Sequence, residues 1–464
     1  MKFCIDIIPE EFLEKPDEYL DTWKRSGVDS VQLCVATEHR RASEDATAKS
    51  AELIRAAGFE ATLIAVPVGH PAPPQIVNGV NIRLTPGWRV RTGRNGQPEY
   101  NSAELTDRMI DDVVAYSARY AALGFDTFFM DDDLRVGNLT PFVSGCFCDD
   151  CIAEFSARDG RRYTRESLLA SDEETLARWC LFQSERVTKL MKGLKNVVAK
   201  PGIMIMNSGD ERHGIDVHAL AEIPGIQVRV GEQHFFDAEA SSITGRVENF
   251  AAVTGHLFRL GGKTETYSET TVLNIPGQES RTTTAEHTLS KAYLALTAGV
   301  DNIDWMCWKY FDMMADNYRA LRQYHAETCG TRAYPVHVAR DGFAAQTTYY
   351  PDLTATACGL PAAPVFAAEA KGGEVLVLPA HLYDRPEWRS AAEKYKTVLK
   401  PEEVKAFLKT TDIPHAETDS PVCLAWIPER NRAAVYNPLE TEQTAVVAGH
   451  SVKLTPGGAA VVDL

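Results

Sequence analysis

The sequence contains no GxGxxG and no GxxxxGK[ST] turn, so the glycine-rich cradles that hold dinucleotide or nucleotide phosphates are missing. It also lacks any apolar run of about 18 residues, which leaves no helix of the kind that spans a bilayer. No basic stretch followed by an apolar leader core opens the chain. MKFCIDIIP reads instead as a strand carrying Asp6, and the expected location is the cytoplasm. Clustered Lys and Arg are absent too: 48 basic residues face 64 acidic ones, for a net charge of −16. That balance excludes a nucleic-acid partner and favours neutral substrates over polyanions. Low-complexity tracts and short repeats are not found. Cysteine is sparse, with 10 in 464 residues, too few for a disulfide scaffold. The scattered ones, such as Cys4, Cys34 and Cys307, read as buried reduced thiols. Only Cys146, Cys148 and Cys151 stand close together.

What the chain does have is a long alternation of strand-like and helix-like segments. Strand-like runs at 2–8, 30–37, 60–68, 125–133, 202–208, 226–235, 263–270 and 301–308 are each followed by a helix-like stretch. Near-continuous apolar strands are what a parallel sheet covered on both faces requires, and eight βα units predict a (β/α)8 TIM barrel over 1–332. A doubly wound open sheet is the rival, and it would want the missing phosphate turn. The character then changes. Residues 333–412 read as a small α/β segment, and 413–464, with short strands between Gly and Pro turns, as a C-terminal β domain.

Chemistry in such barrels sits at the C-terminal ends of the strands. There the sequence places Asp131, Asp132 and Asp133 after strand 4, Asn207 after strand 5, Glu232 and His234 after strand 6, Tyr267 and Glu269 after strand 7, and Trp305 and Trp308 after strand 8. Two carboxylates facing each other across a sugar, with aromatic rings to stack on, are the working parts of glycoside hydrolysis. The acid of the pair must hold its proton at neutral pH, and a neighbouring carboxylate raises its pKa. Three consecutive Asp residues supply that neighbour. They are also oxygen ligands for Mg²⁺ or Ca²⁺, so a metal-dependent hydrolase centred on Asp131 to Asp133 is a second reading. The stretch GCFCDDC that follows offers three thiolates within reach of one ion, and a structural Zn²⁺ wants four ligands. Cys180, His70 and Asp149 are candidates for the fourth. No organic cofactor is expected.

The stretch DDDLRV…CFCDDCIAEF resembles the strand-4 segment of the family 42 β-galactosidases among the glycoside hydrolases, which carry D-N-E there and then a C-x-C-x-x-C zinc cluster. IDIIPEEF is similar to their first strand, and YSETTVLNIPGQESR…LALTAGVDNIDWMCW to their strand 7 to strand 8 region. The resemblance implies a retaining, exo-acting β-glycosidase of galactoside or mannoside type. Asp133 would be its general acid/base, Glu269 its nucleophile, and Asp131 or Asp132 the tuning and sugar-orienting carboxylate. Asn207, His234, Tyr267, Trp305 and Trp308 would line the sugar site, Cys146, Cys148 and Cys151 would hold a structural zinc, and the chain would form a homo-oligomer, dimer or trimer. Three departures stand out: Asp133 replaces the family's Glu, Asp132 its Asn, and no Cys lies between Cys34 and Cys146 to supply the fourth thiolate. A non-catalytic sugar-binding barrel that kept the scaffold is the alternative from another class.

Overall fold

In a computed structural model of the chain, eight parallel strands close into a barrel. The structure describes residues 1–37, 40–66, 76–77, 80–81, 85, 87–131, 134, 136, 143–206, 211–232, 243–269, 284–305, 311–344, 350 and 352–464. The strands are β1 (Phe3–Ile7), β2 (Ser30–Thr37), β3 (Glu60–Ala65), β4 (Thr127–Met130), β5 (Lys200–Met206), β6 (Gln227–Glu232), β7 (Glu265–Glu269) and β8 (Asn302–Trp305). They pair in chain order, and β8 returns to β1 through Phe3↔Ile303 and Ile5↔Trp305. This is the expected TIM barrel, and the closure excludes the open sheet.

Alternation along each strand builds two layers. Ile5, Val31, Leu33, Phe128, Ile203, Val228 and Ile303 point outward into one large core shared with the surrounding helices. Cys4, Ile64, Phe129 and Tyr267 form a separate apolar layer inside the barrel. Gly202 is required beside it, because a Cβ there would come 2.2 Å from the Phe129 ring. Helices begin where side chains can cap them: Ser43, Thr106, Asp172 and Thr284 each accept a hydrogen bond from a backbone N–H of the first turn.

Beyond the barrel, a four-stranded parallel sheet is built from β9 (Val336–Ala339), β10 (Ala362–Val365), β11 (Gly373–Val377) and β12 (Tyr395–Leu399). Two three-stranded antiparallel sheets follow between Ala416 and Asp463. Buried charges join the first sheet to the barrel. Arg259, on the helix Ile243–Leu260, is held between Glu211 of the barrel and Glu369, which also meets His218 at 2.9 Å. Burial pushes the Glu369 carboxyl up, but the His218 hydrogen bond and the Arg259 charge outweigh it and bring it down to about 2.

Candidate active site

Inside the barrel mouth the residues of opposite strands converge on one guanidinium. Arg229, on β6, is fully buried. It pairs in register with Met204 and Tyr267, one layer below the mouth, and its length carries the charge upward past the Phe129 ring. One nitrogen, Nη1, donates to Asp304 Oδ2 of β8 at 2.8 Å. The other, Nη2, donates to Asp131 Oδ1 just past β4 and lies 3.4 Å from Glu269 Oε2 at the end of β7. Asp6 of β1 is 4.0 Å away. Four carboxylates from four strands thus surround a single cation.

Burial disfavours the charge on Arg229, but Asp131, Glu269 and Asp304 more than restore it, and the group stays protonated. Among the carboxylates, burial raises Asp304, with Arg229 pulling the other way. Asp6 is raised further, by burial and then by the negative Asp304, and neither of its oxygens has a hydrogen-bond partner among the described residues. Asp6 therefore sits in the mouth as a buried carboxyl held toward its protonated form.

The end of β6 is shaped by a bulge. Ile205 pairs with Val230, yet Met206 pairs with Glu232, so Gly231 is skipped and adopts φ +65°. Its carbonyl accepts from Asn249 Nδ2 at 2.8 Å and from the buried Lys291 Nζ at 2.7 Å. The extra residue brings Glu232 into register with Met206.

Of the expected site residues, Asp131 and Glu269 are together at the mouth. Asp132, Asp133, Asn207, His234 and Trp308 lie outside the described residues, as does His70. Two expectations need correcting. Tyr267 belongs to the inner apolar layer, packed against Phe129, and its hydroxyl donates to Glu265 at 3.0 Å toward the opposite end of the barrel. Trp305 follows the inward Asp304 and so points outward into the helix-facing core, 3% exposed. Neither ring faces the mouth. Arg229, Asp304 and Asp6 were not anticipated. A lone Arg in QVRVG was the available signal, since in a parallel strand dry on both faces it must find carboxylates.

Among the described residues the cysteine cluster has a fourth candidate donor. Cys146, Cys148, Cys151 and Glu104 place one ligand atom each within 4.8 Å of one another, the span of a tetrahedral shell with bonds of about 2.3 Å to sulfur. Glu104 stands just past the strand Pro98–Ala103, buried, with its Oε1 3.3 Å from Cys151 Sγ and 2.6 Å from Arg89. Arg186 reaches the same Cys151 sulfur at 3.3 Å. Hydrogen bonds from the Cys146 and Cys151 thiols hold the Cys148 thiol far below the ordinary range. The fourth position is therefore not Cys180, which is buried among Trp179, Phe155 and Phe182, nor Asp149, which is exposed at a helix start. The cluster closes the segment after β4 against the one before the helix Asp107–Ala121.

A cavity of about 590 Å³ lies at the far end of the barrel, beside the starts of β7 and β8, lined in part by Phe258, Asp301, Arg332 and Tyr334. Arg332 there is spent on the carbonyls of Leu296, Thr297, Thr328 and Gly330.

The fold and site define a TIM barrel with an acidic, arginine-centred mouth and a cysteine-rich cluster beside it. No protein-family model matches the chain, and no curated protein matches it in sequence. Solved structures do match. Gan42B, a GH42 β-galactosidase from G. stearothermophilus, superposes with a TM-score of 0.68 at 11% identity, covering 99% of this chain and 97% of that one. The β-galactosidase of the haloarchaeon Halorubrum lacusprofundi gives 0.68 at 12%, with 100% and 99% covered. The β-galactosidase of Marinomonas ef1 gives 0.66 at 10%, with 99% of both chains covered. The chain shares their fold over its whole length. Among the described residues no helix is long and apolar enough to cross a membrane.

Proposed function

We propose that the chain is a glycoside hydrolase, retaining and exo-acting on a β-linked hexoside, with Glu269 as nucleophile and Asp133 as general acid/base. The observation that carries this reading is the meeting of a strand-4 and a strand-7 carboxylate over one nitrogen of Arg229. Strands 4 and 7 thus present carboxylates to one point of the mouth, which is the arrangement that two-carboxylate glycoside hydrolysis needs. Asp131 is clasped by the guanidinium, and the acid role at Asp133 is the one that the resemblance to the family 42 strand-4 segment implies. In the first step Glu269 attacks the anomeric carbon while Asp133 protonates the leaving oxygen. Water, deprotonated by Asp133, then releases the sugar from Glu269.

The Glu104, Cys146, Cys148 and Cys151 donor set fits zinc. Four protein ligands leave no open position, so such an ion would stiffen the wall of the mouth and take no part in the chemistry. A homo-oligomer remains part of the same reading.

The test is turnover of a panel of nitrophenyl glycosides. Glu269→Ala should abolish most of it and regain part with added azide, which replaces the missing nucleophile. Absence of rescue would speak against a covalent intermediate, and full turnover by Asp133→Asn on an unactivated glycoside would remove the acid assignment. One observation favours the non-catalytic alternative: Asp131 and Glu269 already share a cationic partner in Arg229. Ligand-induced melting shifts without turnover would establish that reading instead.

A further inference from the structure

We propose that Arg229 is the positioning residue of the mouth, a buried clasp from β6 that sets the orientation of Glu269 against Asp131. The inference deepens the glycosidase reading and rests on it for its catalytic consequence, but the clasp itself stands on the geometry alone.

The two edges of the guanidinium are used differently. Nη1 is anchored to Asp304, while Nη2 donates to Asp131 and pairs by charge with Glu269 Oε2 at 3.4 Å. Register explains the anchor. Glu269 and Asp304 are partners across β7 and β8, so both carboxylates start from the same level of the barrel and face the same interior. Asp304 is 0% exposed and takes the edge facing β8, which fixes the plane of the guanidinium. With that plane fixed, the second edge can point only toward β4 and β7. Phe129 supports the charge from below with its ring centroid 5.9 Å from the guanidinium carbon, and Gly202 supplies the room for that ring.

Such a device depends on a planar fork. A lysine ammonium carries the same charge but places its donors on one freely rotating nitrogen, so it cannot occupy both the Asp304 side and the Asp131 side or fix their relative orientation. A plug that merely offset buried negative charge would accept lysine. A positioning residue would not.

Arg229→Lys is therefore expected to lower kcat about 100-fold while leaving KM within a few-fold, since a nucleophile displaced by about 1 Å costs that much at the chemical step. In the Glu269→Ala background with azide, where the oriented carboxylate is gone, the same substitution should change the rescued kcat by less than about threefold. An equal loss in both backgrounds, or an undiminished kcat in Arg229→Lys, overturns the proposal. If Arg229→Lys does not fold, Asp304→Asn takes its place, because it frees the plane of the guanidinium without removing the charge, and the same comparison of backgrounds applies. Should the wild type hydrolyse no glycoside, the glycosidase reading fails by itself. The clasp is then read from urea unfolding of Arg229→Lys, Glu269→Gln and the double variant, where strict additivity overturns it and non-additivity supports it.

Discussion

Arg229 and Asp304 lie 2.8 Å apart with neither side chain exposed to solvent, and Asp6 stands close enough to the pair to feel both charges. The guanidinium nitrogen nearest Asp6 donates to Asp304 and stands 4.0 Å from the Asp6 carboxyl, beyond hydrogen-bond reach. The folded state consequently pays for ionising Asp6.

That cost has a definite sign. The Asp6 pKa is raised in the folded protein, so the carboxyl remains protonated after the unfolded chain has released its proton, and stability declines as pH climbs from about 4 toward the folded value. Asp6→Asn removes the decline. Melting temperatures of wild type and Asp6→Asn, measured from pH 4 to pH 8, should diverge in favour of the variant as pH rises. Parallel curves would show that Asp6 is not held in its neutral form.

Glu369 carries the opposite sign. Its pKa is brought down to about 2, so the stability from its contacts with His218 and Arg259 is present above the unfolded carboxylate range and is lost as pH falls from about 4.5 toward 2. Glu369→Ala leaves Arg259 buried beside Glu211 without its second partner, and breaking such a pair costs about 3–5 kcal/mol. Urea unfolding at pH 7 measures this loss. The gap to wild type should narrow toward pH 3, and a constant gap would mean that packing, not charge, joins the barrel to the β9–β12 sheet.

The barrel was legible because eight strand-like runs alternate with helix-like ones, and a run such as FDTFFM can be little else between two polar amphipathic stretches. The positions of the strand ends were legible for the same reason, and Asp131 and Glu269 came with them. Side-chain direction was less so. Trp305 is adjacent to Asp304, and a shift of one residue decides between the mouth and the helix layer. Tyr267 is inward, yet it lies two residues below Glu269 and its hydroxyl turns away from the mouth. Glu104 was hidden by distance in sequence from Cys146, and only the packing of the hairpin Val90–Thr92 and Pro98–Ala103 against the cysteine loop brings it in. The bulge at Gly231 leaves no pattern that a single glycine could announce.

Lys291 tests how that bulge is held. Its ammonium is 1% exposed and donates to the Gly231 carbonyl and, at 2.6 Å, to Asn249 Oδ1. Lys291→Met keeps the length and apolar stem but strips a donor from two buried oxygens, which should cost about 1–3 kcal/mol. Chemical denaturation reads the loss. Unchanged stability would mean that Asn249 alone suffices to fix the end of β6.

The cysteine cluster gives the last prediction, because its fourth donor is a carboxylate and not a thiolate. Three thiolates and Glu104 around a divalent ion carry two surplus negative charges, and Arg89 and Arg186 stand where they offset them. The protein purified without added metal should contain about one zinc per chain. Glu104→Ala removes a ligand and leaves Arg89 without its buried partner, so zinc content and melting temperature should both fall. Glu104→Cys restores a four-sulfur shell and should retain the ion more tightly against a chelator, with nitrophenyl glycoside turnover unchanged because the cluster takes no part in the chemistry. Metal analysis by mass spectrometry alongside melting curves checks each variant. Wild-type protein free of metal, or an Ala variant that keeps its full complement, would remove the assignment of Glu104 as a ligand and leave three thiols packed against a buried ion pair.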